Sequence, residues 1–308
     1  MLKCKIVSTL VAAGWCFAAA VSADAQGATG TVFEETVAPG ANYDKAEFRA
    51  WLPAGSGPVE AVVVLVPGSN GDGRPMADDP VWQDFATKQK LALIACRFTD
   101  KPHEQAFIEH YIDVSHGAGQ ALLDALASVA RRSGHAEVAT APLLMWGMSA
   151  GGEFNYEFVA WKPERVAAFV VNKGGIYYSA LVSAAARRVP GILFVGGKDL
   201  AFRTNTIVGL FAVNRRAGAL WALAEEPSAA HIVGRSLDVA LVLFEDVLSA
   251  RRRGAAITES SGFIGDFTAR TFSAAAPTGT PDVPTAWLPT ERVARAWQAL
   301  VTEKPFDR

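Results

Sequence analysis

Two kinds of apolar pattern alternate along this chain. The first is the unbroken run. Ala61–Val66 reads Ala-Val-Val-Val-Leu-Val, and Leu91–Phe98, Leu143–Trp146, Val166–Val171, Ile192–Val195 and Ala219–Ala224 are similar. A strand with no polar position is one covered on both faces, as in a parallel sheet. The second kind is apolar at helical spacing. It occurs over Gln120–Arg131, over Ser236–Ala250 (Leu237, Ala240, Leu241, Phe244, Val247, Leu248), and from about Thr290 (Val293, Ala294, Trp297, Leu300). Strands alternating with helices predict an α/β protein, a mostly parallel twisted sheet with helices on both faces. Thr31–Trp51 is expected to add antiparallel edge strands, and Ser273–Pro289 to form an ordered surface excursion before the last helix. No internal repeat and no Ser/Pro-rich linker divides the chain.

The start follows a different rule. Lys3 and Lys5 precede an apolar run from Ile6 to Val21, which ends in Ser22-Ala23-Asp24-Ala25. That order is expected of a signal peptide over residues 1–25, cleaved after Ala25. The run is shorter than the ~20 residues a membrane span needs. Residues 26–308 are then expected to form one catalytic-size domain, secreted or periplasmic, with no stable membrane insertion. Of the three cysteines, Cys4 and Cys16 leave with the leader, so no internal disulfide is expected and Cys96 reads as a buried small hydrophobe. Half of the 308 residues are hydrophobic and 19% are charged, which excludes a disordered chain. A net charge of -2 argues against a nucleic-acid partner, which would require a basic face.

Gly147-Met148-Ser149-Ala150-Gly151 is where the chemistry begins. This G-x-S-x-G follows a predicted buried strand and opens a predicted helix, Ala150–Ala160, the context of a nucleophile elbow. Small residues two before and two after the serine let strand and helix approach closely. The helix N-terminus brings amide donors beside a developing oxyanion. A serine hydroxyl needs a base, and the base needs a carboxylate to orient it. Four of the five histidines (His103, His110, His116, His135) precede Ser149; only His231 follows it. Between them lies a single aspartate, Asp199, in a loop after the strand Ile192–Val195. Rival acids are Glu153 and Glu157 on the helix after the elbow, Glu164 in the turn ending it, and Glu225 and Glu226 after a later strand. Asp199 fits the chain order Ser, acid, His best. One oxyanion donor is expected from the amide of Ala150. The other is expected from the glycine-rich loop Pro67–Gly73, at Ser69, with Asn70 beside it. That loop lacks the lysine and spacing of a phosphate-binding loop.

The loop Pro-Gly-Ser-Asn-Gly-Asp-Gly, the elbow Gly-Met-Ser-Ala-Gly-Gly, the acid turn Val-Gly-Gly-Lys-Asp and the single downstream histidine together resemble the α/β-hydrolase superfamily over roughly Ala61–Arg251. Within it the chain is most similar to secreted bacterial esterases of the polyhydroxybutyrate-depolymerase and feruloyl-esterase type. The resemblance implies an α/β-hydrolase fold and a Ser-His-Asp acyl hydrolase that works through an acyl-enzyme without cofactor or metal. Pro67-Gly68 stands where such enzymes often have His-Gly. The expected partner is a small or oligomeric ester. Asn70, Lys173 and Tyr177 are the candidate substrate-binding residues, and Trp146, Phe154 and Tyr178 are further aromatics placed near the cleft. Lys173, Lys198, Arg203 and Arg74 are expected on loops at the mouth. The plainer reading is solvated loop charge; a real bias there would favour an anionic substrate and open the alternative of a hydrolase cutting amides of an acidic polymer. A non-catalytic binding protein on the same fold is the other alternative.

Overall fold

The computed structural model describes residues 28–55, 57–275 and 285–306. The leader expected at 1–25 and the middle of the excursion, 276–284, lie outside the described residues.

In chain order the elements are β1 (Gly30–Val37), β2 (Lys45–Pro53), β3 (Ala61–Val66), α1 (Pro80–Gln89), β4 (Leu91–Thr99), α2 (Ala118–Ser133), β5 (Leu143–Gly147), α3 (Ala150–Trp161), β6 (Val166–Asn172), α4 (Ala184–Arg187), β7 (Gly191–Gly196), α5 (Ala201–Arg216), β8 (Trp221–Glu226), α6 (Ser236–Arg252), β9 (Phe263–Asp266), β10 (Thr271–Ala274), β11 (Ala286–Leu288) and α7 (Glu291–Val301). Eight strands form one sheet in the order β1-β2-β4-β3-β5-β6-β7-β8. β1 and β2 are the antiparallel edge, and β4 through β8 run parallel. The chain has the α/β-hydrolase fold.

Alternation along the strands explains the unbroken apolar runs. Val62, Val64, Leu143, Met145, Phe169 and Val171 pack one way, against Leu122, Leu126, Phe154, Phe158 and Phe211 of α2, α3 and α5. Val63, Leu65, Leu144, Ala168 and Val170 pack the other way, against Trp82 of α1, Phe244 and Val247 of α6, and Trp297 of α7. Each strand residue therefore leaves water whichever face it points to.

Most elements lie where the pattern placed them, with shifted ends. The strand expected over Ala219–Ala224 runs Trp221–Glu226. Two helices carried no clear stripe. α1 buries only Trp82 and Ala86, and it is announced instead by its Asp79 cap and by Pro80 in the first turn. α5 buries Ile207, Leu210 and Phe211 but exposes Phe202, Val208 and Val213, so its apolar residues do not fall on one face. The described ends of the Ser273–Pro289 stretch are ordered strands: β10 and β11 flank β9 in a small antiparallel sheet. Cys96 is buried and free, its thiol pushed up by burial.

The strand order reverses about β3, since β4 lies on one side of it and β5 on the other. The crevice beyond the carboxyl ends of strands at such a switch point is where ligands bind in open α/β sheets. The loops leaving β3, β5, β7 and β8 therefore frame the region to search.

Candidate active site

Ser149 stands between β5 and α3 with φ 55 and ψ -127, a backbone state that non-glycine residues rarely adopt. The flanking glycines are the reason the chain can turn there. A Cβ on Gly147 would collide with the carbonyl of Gly151, and one on Gly151 with the carbonyl of Val66 at the end of β3. The strained serine is anchored by its own amide, which donates to the Asn172 carbonyl at the end of β6 at 2.8 Å.

The other two side chains arrive from neighbouring strand ends. Asp199 follows β7 through a turn closed by its amide on the Gly196 carbonyl at 3.1 Å. His231 follows β8, and its loop is tied to the Asp199 loop by the Lys198 amide donating to the Ala229 carbonyl at 2.9 Å. His231 Nε2 lies 3.1 Å from Ser149 Oγ, and Nδ1 lies 2.8 Å from Asp199 Oδ2. The three side chains, 82 and 32 positions apart in pairs, thus form one hydrogen-bonded row. Asp199 Oδ1 accepts from the Leu200 amide at 2.7 Å and from Arg203 at 3.1 Å. Burial pushes the Asp199 carboxyl up, but the bonds from His231, Leu200 and Arg203 outweigh it and hold the group below its ordinary value.

Ala150 is the first residue of α3, so its amide has no acceptor within the helix. Gly68 brings the β3 loop against the serine: a Cβ there would lie 3.5 Å from the Ser149 Cβ. The Gly71 amide bonds the Gly68 carbonyl at 3.0 Å, which puts Ser69 and Asn70 at the tip of a turn, with Asn70 at φ 52. Asn70, exposed at the tip, braces this turn. Its amide donates to the Tyr111 hydroxyl at 3.2 Å, its Oδ1 accepts the Asp100 amide at 2.7 Å and its Nδ2 donates to Ser69 Oγ at 3.3 Å.

Several expected mouth residues sit elsewhere. Lys173, placed by sequence at the cleft entrance as a substrate contact, is 0% exposed. Its Nζ donates to Glu226 Oε2 at 2.9 Å and to Asn172 Oδ1 at 3.0 Å. Arg203 is not a loop charge but lies on α5, one turn after Asp199, and Arg74 is taken up by Asp72 and Glu47. Lys198 alone of the four is exposed and unpaired by any side chain among the described residues. Tyr177 packs edge-on against Tyr156 at 5.0 Å with its hydroxyl buried, and burial holds its phenol well above the usual range. Trp146 and Phe154 are core residues, whereas Tyr178 is exposed.

Glu153, one turn into α3, was passed over as a rival acid and proves to be a structural support. One of its oxygens accepts the amides of Gly175 and Ile176 in the loop after β6, while the other is buried without a partner. Burial pushes its carboxyl up to about 7, raised further by Glu109; the two amides and Arg203 pull against it. Two further supports were missed: Asn172, and Glu226, which was weighed only as a rival acid. Their only signal was a polar residue ending an otherwise apolar strand.

No described cluster of His, Cys, Asp and Glu could hold a metal ion, and no described helix is long and apolar enough to cross a membrane. No family and no curated relative matches the chain. Solved structures do. A ferulic acid esterase superposes with a TM-score of 0.50 at 12% identity, over 73% of this chain and 99% of its own. A Pyrobaculum calidifontis esterase gives 0.49 at 14%, over 72% and 85%. Poly(aspartic acid) hydrolase-1 from Sphingomonas sp. KT-1 gives 0.49 at 14%, over 70% and 98%. At this identity the likeness is one of fold, in agreement with the α/β-hydrolase architecture.

Proposed function

We propose that the chain is an exported serine hydrolase that cleaves carboxylic esters through an acyl-enzyme. The observation that carries this reading is the row Ser149–His231–Asp199, with 3.1 and 2.8 Å between successive partners. Ser149 Oγ attacks the ester carbonyl carbon while its proton passes to His231 Nε2. The carbonyl oxygen, now an anion, takes the amides of Ala150 and Ser69. Collapse breaks the bond to the leaving oxygen, which departs as the alcohol with the proton from His231. A water then attacks the acyl carbon, gives its proton to His231, and the acid leaves as Ser149 regains its hydroxyl. Asp199 fixes the imidazole with Nε2 toward the serine throughout.

Charge and apolar surface favour an ester with an uncharged acyl group over an acidic polymer. Three of the four cations expected at the mouth are held by carboxylates, as described above. The loops around the row instead expose Phe107, Tyr178, Leu200, Phe202 and Ile232. Phe107 and Phe202 touch, with ring centroids 6.4 Å apart, which joins the loop after β4 to the start of α5.

The test is turnover of p-nitrophenyl acetate and butyrate beside the matching anilides and poly-aspartate. The expected result is an ester burst that Ser149→Ala abolishes, with the anilides and the polymer cleaved slowly or not at all. Equal rates for wild type and Ser149→Ala would overturn the reading, and preferential cleavage of poly-aspartate would replace it with the amidase alternative. Export is checked by the N-terminus of the protein recovered outside the cytoplasm, expected at Gln26.

A further inference from the structure

The buried cation at the end of β6 has no place in the acyl-transfer steps, yet it touches the supports of Ser149 and of the loop that carries His231. Asn172 carries the nucleophile: its carbonyl accepts the Ser149 amide at 2.8 Å. The side chain of the same residue reaches the far end of the histidine loop. Asn172 Nδ2 donates to the Val233 carbonyl at 3.1 Å and to Ser236 Oγ at 2.7 Å. Glu226 begins that loop, and its Oε1 accepts the Arg235 amide at the loop's end. Gly234 lies so close to the Glu226 carboxylate that a Cβ there would collide with it, and its φ of 59 suits glycine. Between Asn172 and Glu226 stands Lys173 Nζ, bonded to both. Its stem passes under the end of β7, where a Cβ on Gly196 would lie 3.1 Å from Lys173 Cε.

We propose that Lys173 is a positioning residue: its ammonium, held between Asn172 and Glu226, fixes the loop that carries His231 relative to the turn that carries Ser149. The inference rests on the triad reading above and adds to it the device that sets the histidine-to-serine distance. Stability alone is a weak explanation for the pair. A buried ion pair surrenders two hydration shells and is often matched by apolar residues of the same size. A methionine at 173 would fill the same space without that penalty. What the ammonium adds is direction, since it bonds side chains from two strand ends with β7 between them. Lys173 also sits at φ 57, a conformation that persists only where the surroundings over-determine it.

Lys173→Met alone strands the Glu226 charge and is expected to unfold more easily. The informative protein is therefore Lys173→Met combined with Glu226→Gln, which removes both charges and keeps an acceptor for the Arg235 amide. It is expected to melt near the wild type. With the acetate ester kcat should fall roughly 10- to 100-fold with KM changed less than about twofold, as displacement of a catalytic group predicts. Glu226→Gln alone should move the same readouts in the same direction by a smaller factor. Wild-type kcat in the folded double variant would overturn the proposal and leave the pair purely structural. A second readout needs no turnover: the downfield proton resonance of the His231 imidazole bonded to Asp199. It should be sharp in the wild type and broadened by exchange in both variants. An unchanged resonance would sink the positioning role whatever the rates. A wild type that cleaves no ester but loses this resonance on substitution would sink the esterase reading instead and leave the positioning role standing.

Discussion

Asp199 and Glu153 are both shielded from solvent near the proposed site, both accept backbone amides and both feel Arg203, yet their carboxyls move in opposite directions. Asp199 uses both oxygens. Oδ2 meets His231, and Oδ1 meets Arg203 and the Leu200 amide, so two of its three partners can carry positive charge. Glu153 uses one oxygen for two neutral amides and leaves the other unpaired, with Glu109 as a like-charged neighbour. Burial raises both groups. Only at Asp199 do the partners overcome it. Two differences separate them: Glu153 lies deeper in the protein, and the donors that reach Asp199 are more numerous and include groups that can carry charge. A carboxylate biased toward its ionised form suits the proposed role of orienting an imidazolium, and one raised toward neutrality suits a residue that only pins a loop.

The sharpest way to break the comparison is to exchange the two groups for their amides. Asp199→Asn offers His231 an ambiguous partner, so the ring loses its preferred tautomer, and kcat on the acetate ester should fall roughly a thousand- to ten-thousand-fold. Glu153→Gln keeps an acceptor for Gly175 and Ile176 and should cost less than about tenfold. Steady-state rates on both variants decide this. Comparable losses in the two would mean that the carboxylates are not divided between orientation and support.

The strand-to-helix turn at Ser149 and the meeting of Ser149, His231 and Asp199 were legible in the sequence because their requirements are local or unique. Gly147 is demanded by a collision within one turn and Gly151 by the close passage of β3, both inside a recognisable five-residue pattern, and His231 is the sole histidine after Ser149. The supports were not legible for the opposite reason. Lys173 and Glu226 are 53 positions apart, and nothing near either one tells that the other will neutralise it; a lysine after a strand reads as solvated until the fold is known. Arg203 was misplaced because α5 lacks an apolar stripe, and only a helix starting at Ala201 puts residue 203 within reach of Asp199. Asn70, expected as a substrate contact from its place in the β3 loop, also braces that loop, which the sequence did not tell. Its three bonds go to Tyr111, Asp100 and Ser69, two of them on a segment that no local pattern connects to it.

Stability against pH separates the two carboxylates by a smaller margin. The Glu153 carboxyl goes from 4.5 in the open chain to about 7 in the fold. The unfolded state therefore loses its proton first, and rising pH through that window disfavours folding. At about 1.4 kcal/mol per pH unit the penalty reaches about 3 kcal/mol above pH 7 and vanishes below 4.5. Glu153→Gln removes it, so the variant should gain stability over wild type progressively from pH 4.5 to pH 8. Asp199 carries the opposite sign: its contribution is present above its unfolded value and fades as pH falls through its lowered folded value. Urea midpoints of the two variants and wild type at pH 4.5, 6 and 8 test this, and a Glu153→Gln difference that stays flat across the three would refute it.

Arg203 tests the comparison most finely, because it acts on both groups. It donates to Asp199 Oδ1 at 3.1 Å and lowers Glu153 only through space. Arg203→Met keeps the stem that packs near Gly175 and removes the charge. Both carboxyls should then titrate at higher pH, Asp199 more than Glu153 because it loses a hydrogen bond as well as a field. Above pH 7 His231 still orients through Oδ2, so kcat should drop only about two- to tenfold. Toward acid the loss should deepen, since Asp199 then takes a proton at a pH where the wild type keeps it ionised. A ratio of wild-type to variant kcat that does not change between pH 8 and pH 5 would show that Arg203 packs against Asp199 without setting its charge, and the contrast with Glu153 would then rest on His231, the Leu200 amide and the shallower burial of Asp199.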